Sequence, residues 1–252
     1  WLLSRATTST GSPFFCWSSI HDDRIRFGNL DVMMQQTPFN SKLPYTYNPA
    51  NVSTAEDAGD IEQGFTVKEI ITKNIGNTFK LVDAGSVSAS MGNTNLNTGL
   101  ISNKHFSIRK TLKTLGNQGI IEDEQQNVFD PDIKVDDVPL DDYNSMKYHT
   151  LTSTGVYGGS KSYHDESDPN LFLKKIEGRA IRNHLYKNEY TAVVTGTAFF
   201  LAKASVGDMV RMKVVNDNSE VSQQSNEDDL IDKTKSGDFL IYDIRHTFQE
   251  TS

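Results

Sequence analysis

The chain has 252 residues, 36% of them hydrophobic, and a formal net charge of -8 at pH 7. Binding to nucleic-acid phosphates depends on clustered lysine and arginine, so the acidic balance argues against a stable nucleic-acid interface. The single Cys16 excludes an internal disulfide, and we interpret it as a structural thiol that its neighbours Phe15 and Trp17 keep protonated. No apolar run approaches the ~20 residues of a membrane-spanning helix.

Residues 1–60 are interpreted as an α/β connecting region. Aromatic and β-branched runs favour strands, and a proline-rich polar stretch favours a connector. The predicted elements are a helix end over 1–8, strands over 14–17 and 24–27, one helical turn over 32–34, and a connector or an extended arm over 37–64.

Residues 61–114 are predicted to hold the first strands of a β-barrel domain. The runs are 65–71, which fits strand or helix, a strand over 78–85, a hairpin or half-exposed strand over 86–98, and an alternating strand over 104–110. Residues 115–168 are mostly polar and predict an irregular insertion.

A helix and three strands are predicted over residues 169–252. Asp168 can cap a helix that begins at Pro169; its apolar stripe is Leu173, Ile176, Ala180 and Leu185, and its other faces are basic. Strands follow over 190–196, 209–215 and 236–248. The last two begin at Gly-Asp turns and alternate, with apolar faces made by Val210, Met212 and Val214, and by Leu240, Tyr242, Ile244 and Phe248.

These half-buried strands predict a mainly β fold with some α (α+β): an antiparallel barrel, a smaller α/β region and a long irregular insertion.

Four groups of residues have side chains that could form a chemical site. The cluster over 163–168, which contains His164, is better explained as a solvated turn with a helix cap than as a zinc site. The acidic run from Asp130 to Asp142 lacks the glycine and glutamate of a calcium loop and is interpreted as solvated. His246 is interpreted as a core or interface residue, and the basic face of the helix as solvated. The sequence therefore predicts no catalytic, cofactor or metal site.

The order of the C-terminal elements resembles the baseplate hub subunit of contractile-tailed bacteriophages. The resemblance is carried by the helix-to-strand passage from Ala180 to Gly196, the Val206-Gly207-Asp208 turn with its strand, and the run from Ser236 to Phe248. The start is similar too, over Leu2 to Ala6, Gly11 to Trp17 and Asp31 to Met34. That family has a first tube domain at its N-terminus, so we expect an upstream part of the protein before Trp1.

The resemblance implies a homotrimer that joins the tail tube, or its initiator proteins, to the trimeric central spike and contacts the baseplate wedge proteins. Two tube-type domains per subunit would give a pseudo-sixfold ring. It implies a structural virion protein rather than an enzyme, assembled in the host cytoplasm, with no cofactor and no membrane binding. The acidic balance would suit a channel through which DNA passes only transiently.

Two alternatives remain open from the sequence. One is a tail-associated cell-wall hydrolase, which would need two carboxylates at a defined separation in a cleft. The other is a receptor- or carbohydrate-binding β-domain with an exposed aromatic platform made by Trp17, Tyr45, Tyr47 and Tyr157.

Overall fold

A computed structural model describes most of the chain. The described residues are 3, 6–8, 11–19, 22–48, 64–73, 78–96, 99, 101–119, 128–130, 132–152, 169–187, 189–196, 205–215, 231–233 and 235–248. They are mainly β with a few helices, which confirms the α+β class. The chain divides into two compact units: unit 1 holds residues 1–15, 29–31 and 74–189, and unit 2 holds residues 16–28, 32–73 and 190–252.

The described residues form the following strands and helices. The strands are β1 (Phe14–Ser19), β2 (Asp22–Asn29), β3 (Tyr45–Tyr47), β4 (Val67–Lys73), β5 (Ser88–Asn95), β6 (Ile101–Ser107), β7 (Lys134–Val135), β8 (Val138–Pro139), β9 (Met146–Thr152), β10 (Glu189–Val194), β11 (Met209–Val214) and β12 (Gly237–Leu240). The helices are α1 (Leu30–Met34), α2 (Thr78–Asp83), α3 (Ile108–Asn117) and α4 (Pro169–Lys187), with a 3-10 turn at Leu140–Asp142.

Unit 1 is built on a three-stranded sheet in the order β6-β5-β9. The central β5 pairs antiparallel with β6 and parallel with β9. Side chains alternate along a strand, so Ala89 and Met91 share a face, and both are fully buried. Leu112 of α3 and Ala180 of α4 are also buried. The core of unit 1 therefore includes one face of the sheet and the apolar sides of these two helices.

Unit 2 contains the small sheets β12-β11-β3 and β10-β4 and most of the two-stranded sheet β1-β2. β11 pairs antiparallel with β12 and parallel with β3, and a parallel bridge between Thr46 and Thr66 links β3 to the start of β4. Tyr45, Val67 and Met212 form its buried cluster. The Asn40 side chain extends the ladder beside β3, because it accepts from the Arg211 N–H at 2.7 Å and donates to the Arg211 carbonyl at 2.8 Å.

Most of the predicted elements are confirmed, including β1, β2, α1, α4, β10 and β11. The stretch over 37–64, predicted as a connector or an extended arm, holds strand β3 at Tyr45–Tyr47, and the irregular insertion over 115–168 was wrong at Met146–Thr152, where β9 pairs with β5. The pairs β3–β11 and β5–β9 are parallel where the sequence predicted an antiparallel domain.

Three further predictions are corrected. The run over 78–85 forms helix α2 over Thr78–Asp83, and the Ala84 N–H donates to the Lys80 carbonyl at 2.9 Å. Residues 6–8 are not helical, because Thr7 forms an antiparallel bridge with Pro13. The strand predicted over 236–248 ends at Leu240.

Candidate functional site

The residues after β12 form an exposed aromatic segment, residues 241–248, which we call the C-terminal segment. Phe248 is 81% exposed and Tyr242 is also exposed. The His246 ring stacks on the Phe248 ring, with their centroids 6.3 Å apart. Two residues apart, they share one side of the chain, as in extended backbone. Exposed aromatic rings are typical of protein interfaces, so this segment is a candidate contact surface.

A tight turn over residues 205–208 holds the start of the C-terminal segment. The Asp208 carboxylate accepts from the Ser205 N–H at 2.7 Å. The Gly207 N–H donates to the Ile241 carbonyl at 2.8 Å, and the Ile241 N–H donates to the Asp208 carbonyl at 2.9 Å. Gly207 has φ +94°, and a Cβ there would lie 2.5 Å from Cε2 of Trp17. The turn therefore depends on glycine beneath the Trp17 ring.

A second exposed surface lies on β2, over residues 24–27, which we call the β1–β2 patch. Successive side chains of a strand point to opposite faces, so Arg24 and Arg26 share one face while Ile25 and Phe27 share the other. All four are exposed, Ile25 by 78% and Phe27 by 59%. A two-stranded hairpin has no second layer of its own on which to bury such residues. The patch combines positive charge with uncovered apolar surface.

A third exposed surface lies around the β7–β8 hairpin, over residues 130–138, which we call the β7–β8 patch. Its turn is made by Asp136 and Asp137, with φ values of 49° and 61°. Aspartate tolerates this left-handed conformation, which suits two-residue hairpins. Four aspartates and three apolar side chains are exposed here: Asp130, Asp132, Asp136, Asp137, Ile133, Val135 and Val138. The patch combines negative charge with apolar surface.

The acidic run was interpreted as solvated throughout, and this was wrong at Asp141. Its side chain is only 1% exposed. Burial raises the pKa of the Asp141 carboxyl from its ordinary value, and the nearby Arg109 guanidinium opposes the shift. Nη1 of Arg109 lies 4.0 Å from Oδ1 of Asp141, longer than a hydrogen bond. A lone buried carboxylate beside an arginine is typical of a structural ion pair.

The neighbouring Asp142 lies beside a histidine. Oδ1 of Asp142 lies 3.7 Å from Nε2 of His105, which is 3.5 Å from the Ser88 hydroxyl. Across the described ranges, no group of three or more histidine, cysteine, aspartate or glutamate side chains could hold a metal ion. A small cavity in unit 1 is mostly apolar, with lining residues that include Val87, Ile108 and Ala180. The apolar lining of this cavity favours a packing role for its residues.

The basic face of α4 was predicted to be solvated, but the Arg182 side chain is partly buried. Nη2 of Arg182 donates to the Leu3 carbonyl at 2.9 Å and to the Phe14 carbonyl at 3.1 Å. Its guanidinium also lies 5.4 Å from the centroid of the Phe15 ring. Burial lowers the pKa of Arg182 from its ordinary value. Arg182 therefore anchors the N-terminal residues of unit 1 to α4.

The remaining sequence candidates are dispersed. Cys16 is exposed, which corrects its interpretation as a thiol shielded by apolar neighbours. Tyr45 is only 1% exposed, in the core of unit 2, so it cannot serve in an exposed aromatic platform. His246 is half-buried, while Tyr157 and residues 163–168 lie outside the described residues.

Sequence reasoning missed the β1–β2 patch, although the alternation Arg-Ile-Arg-Phe predicts a strand with one charged and one apolar face.

Comparison with protein-family models, with curated proteins and with solved structures finds no match to this chain. None of the helices in the described ranges combines the length and apolar character that crossing a bilayer requires.

Proposed function

We propose that this chain is a structural virion protein, a baseplate hub subunit of a contractile-tailed bacteriophage. It forms a homotrimer that joins the tail tube, or its initiator proteins, to the trimeric central spike, and it contacts the wedge proteins of the baseplate. Its role is to adapt sixfold to threefold symmetry, and it carries out no covalent chemistry.

The observation that supports this proposal best is the strand arrangement of unit 2. β12, β11 and β3 form one sheet, the bridge between Thr46 and Thr66 leads from β3 to β4, and β10 pairs with β4. Tyr190 of β10 and Phe239 of β12 then meet edge to face, with ring centroids 5.6 Å apart. The first and last strands of this order thus approach one another. We propose that unit 2 is a tube-type barrel, in which approach of the end strands replaces free sheet edges.

The exposed surfaces of unit 2 favour assembly. The C-terminal segment presents Tyr242 and Phe248, and the β1–β2 patch presents Ile25 and Phe27. Exposed apolar residues that gather into patches are typical of surfaces covered by another chain. In a ring these surfaces would be covered by neighbouring subunits and by partner proteins.

The charge of the chain favours a channel role over stable DNA binding. A net charge of -8 disfavours adhesion of phosphates, so a central channel of the trimer would let DNA slide. Fluorescence anisotropy with a labelled DNA duplex at physiological salt is expected to show no binding. Saturable binding under those conditions would count against the channel.

Native mass spectrometry of the full chain tests the trimer. The expected species is a trimer, with no stable assembly larger than three chains. Replacing Phe248 by alanine is expected to weaken the trimer, whereas alanine at exposed Phe79 of unit 1, which also removes one exposed phenyl ring, serves as the control. A chain that stays monomeric at concentrations near 100 µM, far above a typical Kd of a stable assembly, would overturn the proposal.

A further inference from the structure

A histidine and an aspartate face each other at the edge of the unit 1 sheet. Nε2 of His105, in the edge strand β6, lies 3.7 Å from Oδ1 of Asp142 and 3.5 Å from the Ser88 hydroxyl. A hydrogen bond from a ring nitrogen to an oxygen usually spans about 2.7–3.2 Å, so both distances are longer. The Ser88 hydroxyl already donates to the Phe106 carbonyl at 3.1 Å. Nε2 of His105 therefore has a carboxylate beside it without a close hydrogen bond between them.

Two oxygen atoms near this histidine are buried and have no hydrogen-bond partner among the described residues. They are Oδ1 of Asp142 and Oδ1 of Asn144. Nδ2 of Asn144 donates to the Ser90 hydroxyl at 2.8 Å, which positions the amide beside β5. Ser90 lies directly opposite His105 in the pairing of β5 with β6, so the two side chains are neighbours on one face. A buried acceptor without a donor is costly, and a cation can satisfy it.

We propose that Nε2 of His105, Oδ1 of Asp142 and Oδ1 of Asn144 together bind one divalent transition-metal ion of the zinc class. Imidazole nitrogen and carboxylate oxygen are common zinc ligands, and three protein ligands leave a fourth position for water. Two ligand atoms that are each about 2.1 Å from a tetrahedral ion lie about 3.4 Å apart. The 3.7 Å between Nε2 and Oδ1 therefore needs to close by only a few tenths of an ångström. Because one ligand is an amide, the set is not a group of three histidine, cysteine or carboxylate side chains, which the described ranges lack.

The site is open to an ion from solvent and would join two separate parts of unit 1. The His105 side chain is 39% exposed and that of Asp142 is 33% exposed. Asp142 ends the 3-10 turn, whereas His105 belongs to β6, so a bound ion would link the turn to the strand. The inference is independent of the proposed function, because it concerns unit 1 of a single chain.

Two nearby cations oppose ion binding only weakly. Nη1 of Arg109 lies 4.0 Å from the buried Asp141 carboxylate, which offsets the charge of the guanidinium. Lys147 of β9 pairs with Ser90 in the sheet, but its side chain is exposed and can extend into water. These charges lower the expected affinity without blocking the ligands.

Isothermal titration calorimetry of the full chain, freed of metal with a chelator, tests the site with Zn²⁺ as the probe. His105→Ala and Asp142→Ala each remove one ligand, and Asn144→Asp replaces an amide ligand by a carboxylate. The control is His149→Ala, because His149 lies on the same face of the sheet and its Nε2 is 3.4 Å from the Thr94 hydroxyl. Circular dichroism in the presence of chelator checks that each variant is folded.

The wild type is expected to bind Zn²⁺ with a Kd below about 100 µM. His105→Ala and Asp142→Ala should each weaken this binding at least about tenfold, the lower end of the effect of residues that only orient a metal ligand. His149→Ala should leave it unchanged. Asn144→Asp should tighten it, because an added negative charge among the ligands raises the affinity for a cation. In nuclear magnetic resonance spectra of chain with ¹⁵N-labelled histidine, Zn²⁺ should shift the Nε2 signal of His105 and not the ring signals of His149.

Binding to the wild type that is weaker than about 100 µM overturns the site. Equal weakening by His149→Ala, or undiminished binding in His105→Ala or Asp142→Ala, places the ion elsewhere and also overturns it. If Asn144→Asp does not tighten binding, the set of three ligands is wrong. If the alanine variants unfold, the wild-type spectrum decides, since an Nε2 signal of His105 that Zn²⁺ does not shift overturns the site.

Discussion

Replacement of Gly207 by alanine should destabilise unit 2 more than any other glycine-to-alanine change there. Gly207 has φ +94°, where a residue with a Cβ is strained by about 1–3 kcal/mol. The added Cβ would also lie 2.5 Å from Cε2 and 2.6 Å from Nε1 of Trp17, much closer than van der Waals contact. Overpacking of this kind costs about 1–3 kcal/mol. The two effects together predict a loss of about 2–6 kcal/mol, a large part of the ~5–15 kcal/mol that stabilises a typical domain.

Two other glycines of unit 2 separate strain from steric clash. Gly237 has φ +146° and no atom within 4 Å of an added Cβ, so Gly237→Ala should show backbone strain alone. Gly196 has open space and no positive φ, so Gly196→Ala should be close to neutral. In a Gly207→Ala/Trp17→Leu double variant, removal of the indole should recover the clash component but leave the strain.

The assay is urea unfolding followed by far-UV circular dichroism, combined with hydrogen exchange at the amides of β11 and β12. Hydrogen exchange is needed because two compact units need not unfold in one transition. If Gly207→Ala were as stable as Gly196→Ala, the reasoning about this turn would be refuted. If the indole replacement recovered nothing, the clash with Trp17 would be excluded as a cause.

Three further changes test the electrostatics of each unit. Asp238→Ala removes both hydrogen bonds to Arg211, at 2.6 and 2.8 Å, and should cost about 0.5–1 kcal/mol of unfolding free energy, since the pair is partly exposed; the loss should shrink in high salt. Asp141→Asn should stabilise unit 1 at pH 7, because burial raises the pKa of the Asp141 carboxyl above its ordinary value of 3.8. Such a carboxyl contributes to stability below pH 3.8, where it is protonated, and this contribution is lost as the pH rises through the pKa of the folded state. A variant that is less stable than the wild type at pH 7 and equally stable at pH 3 would contradict this. Glu177→Gln should likewise stabilise unit 1 above pH 4.5, because burial also raises the pKa of the Glu177 carboxyl. The Thr111 hydroxyl, which donates to the Glu177 carboxylate at 2.6 Å, can still donate to the amide oxygen of glutamine. A pH titration of thermal unfolding checks whether the change is stabilising.

The local sequence pattern was enough to predict elements that show a plain alternation of apolar and polar residues or a clear helix start. β11 alternates over Met209–Val214, and α4 begins at a proline that suits the first helical turn. The strand prediction over 78–85 failed because its apolar residues fit either period, and the chain there forms a helix whose end is marked by the Ala84 N–H donating to the Lys80 carbonyl. Short apolar runs are ambiguous for this reason.

The sequence alone did not predict which distant segments pair in a sheet. β9 has mixed polar and apolar residues, and its strand character comes from parallel pairing with β5, 50 to 60 residues away. Asp141 is buried because the 3-10 turn lies against α3, which no local pattern reports. The C-terminal segment shows the reverse case: its alternation predicts a strand, but residues 242–248 form no strand pairing within the described part of the chain.

The candidate surfaces were only partly accessible from sequence. The aromatic residues of the C-terminal segment were recognised, but their alternation predicted a half-buried strand, and Phe248 is 81% exposed. The β1–β2 patch could have been found from alternation alone. Its functional meaning depends on the exposure of both strand faces, which is a property of the folded chain.

Cryo-electron microscopy of the assembled protein tests the hub proposal most directly. The account predicts threefold particles with a central hole and unit 2 in the wall of the ring. Particles without threefold symmetry, or isolated single chains with both units facing solvent, would contradict it.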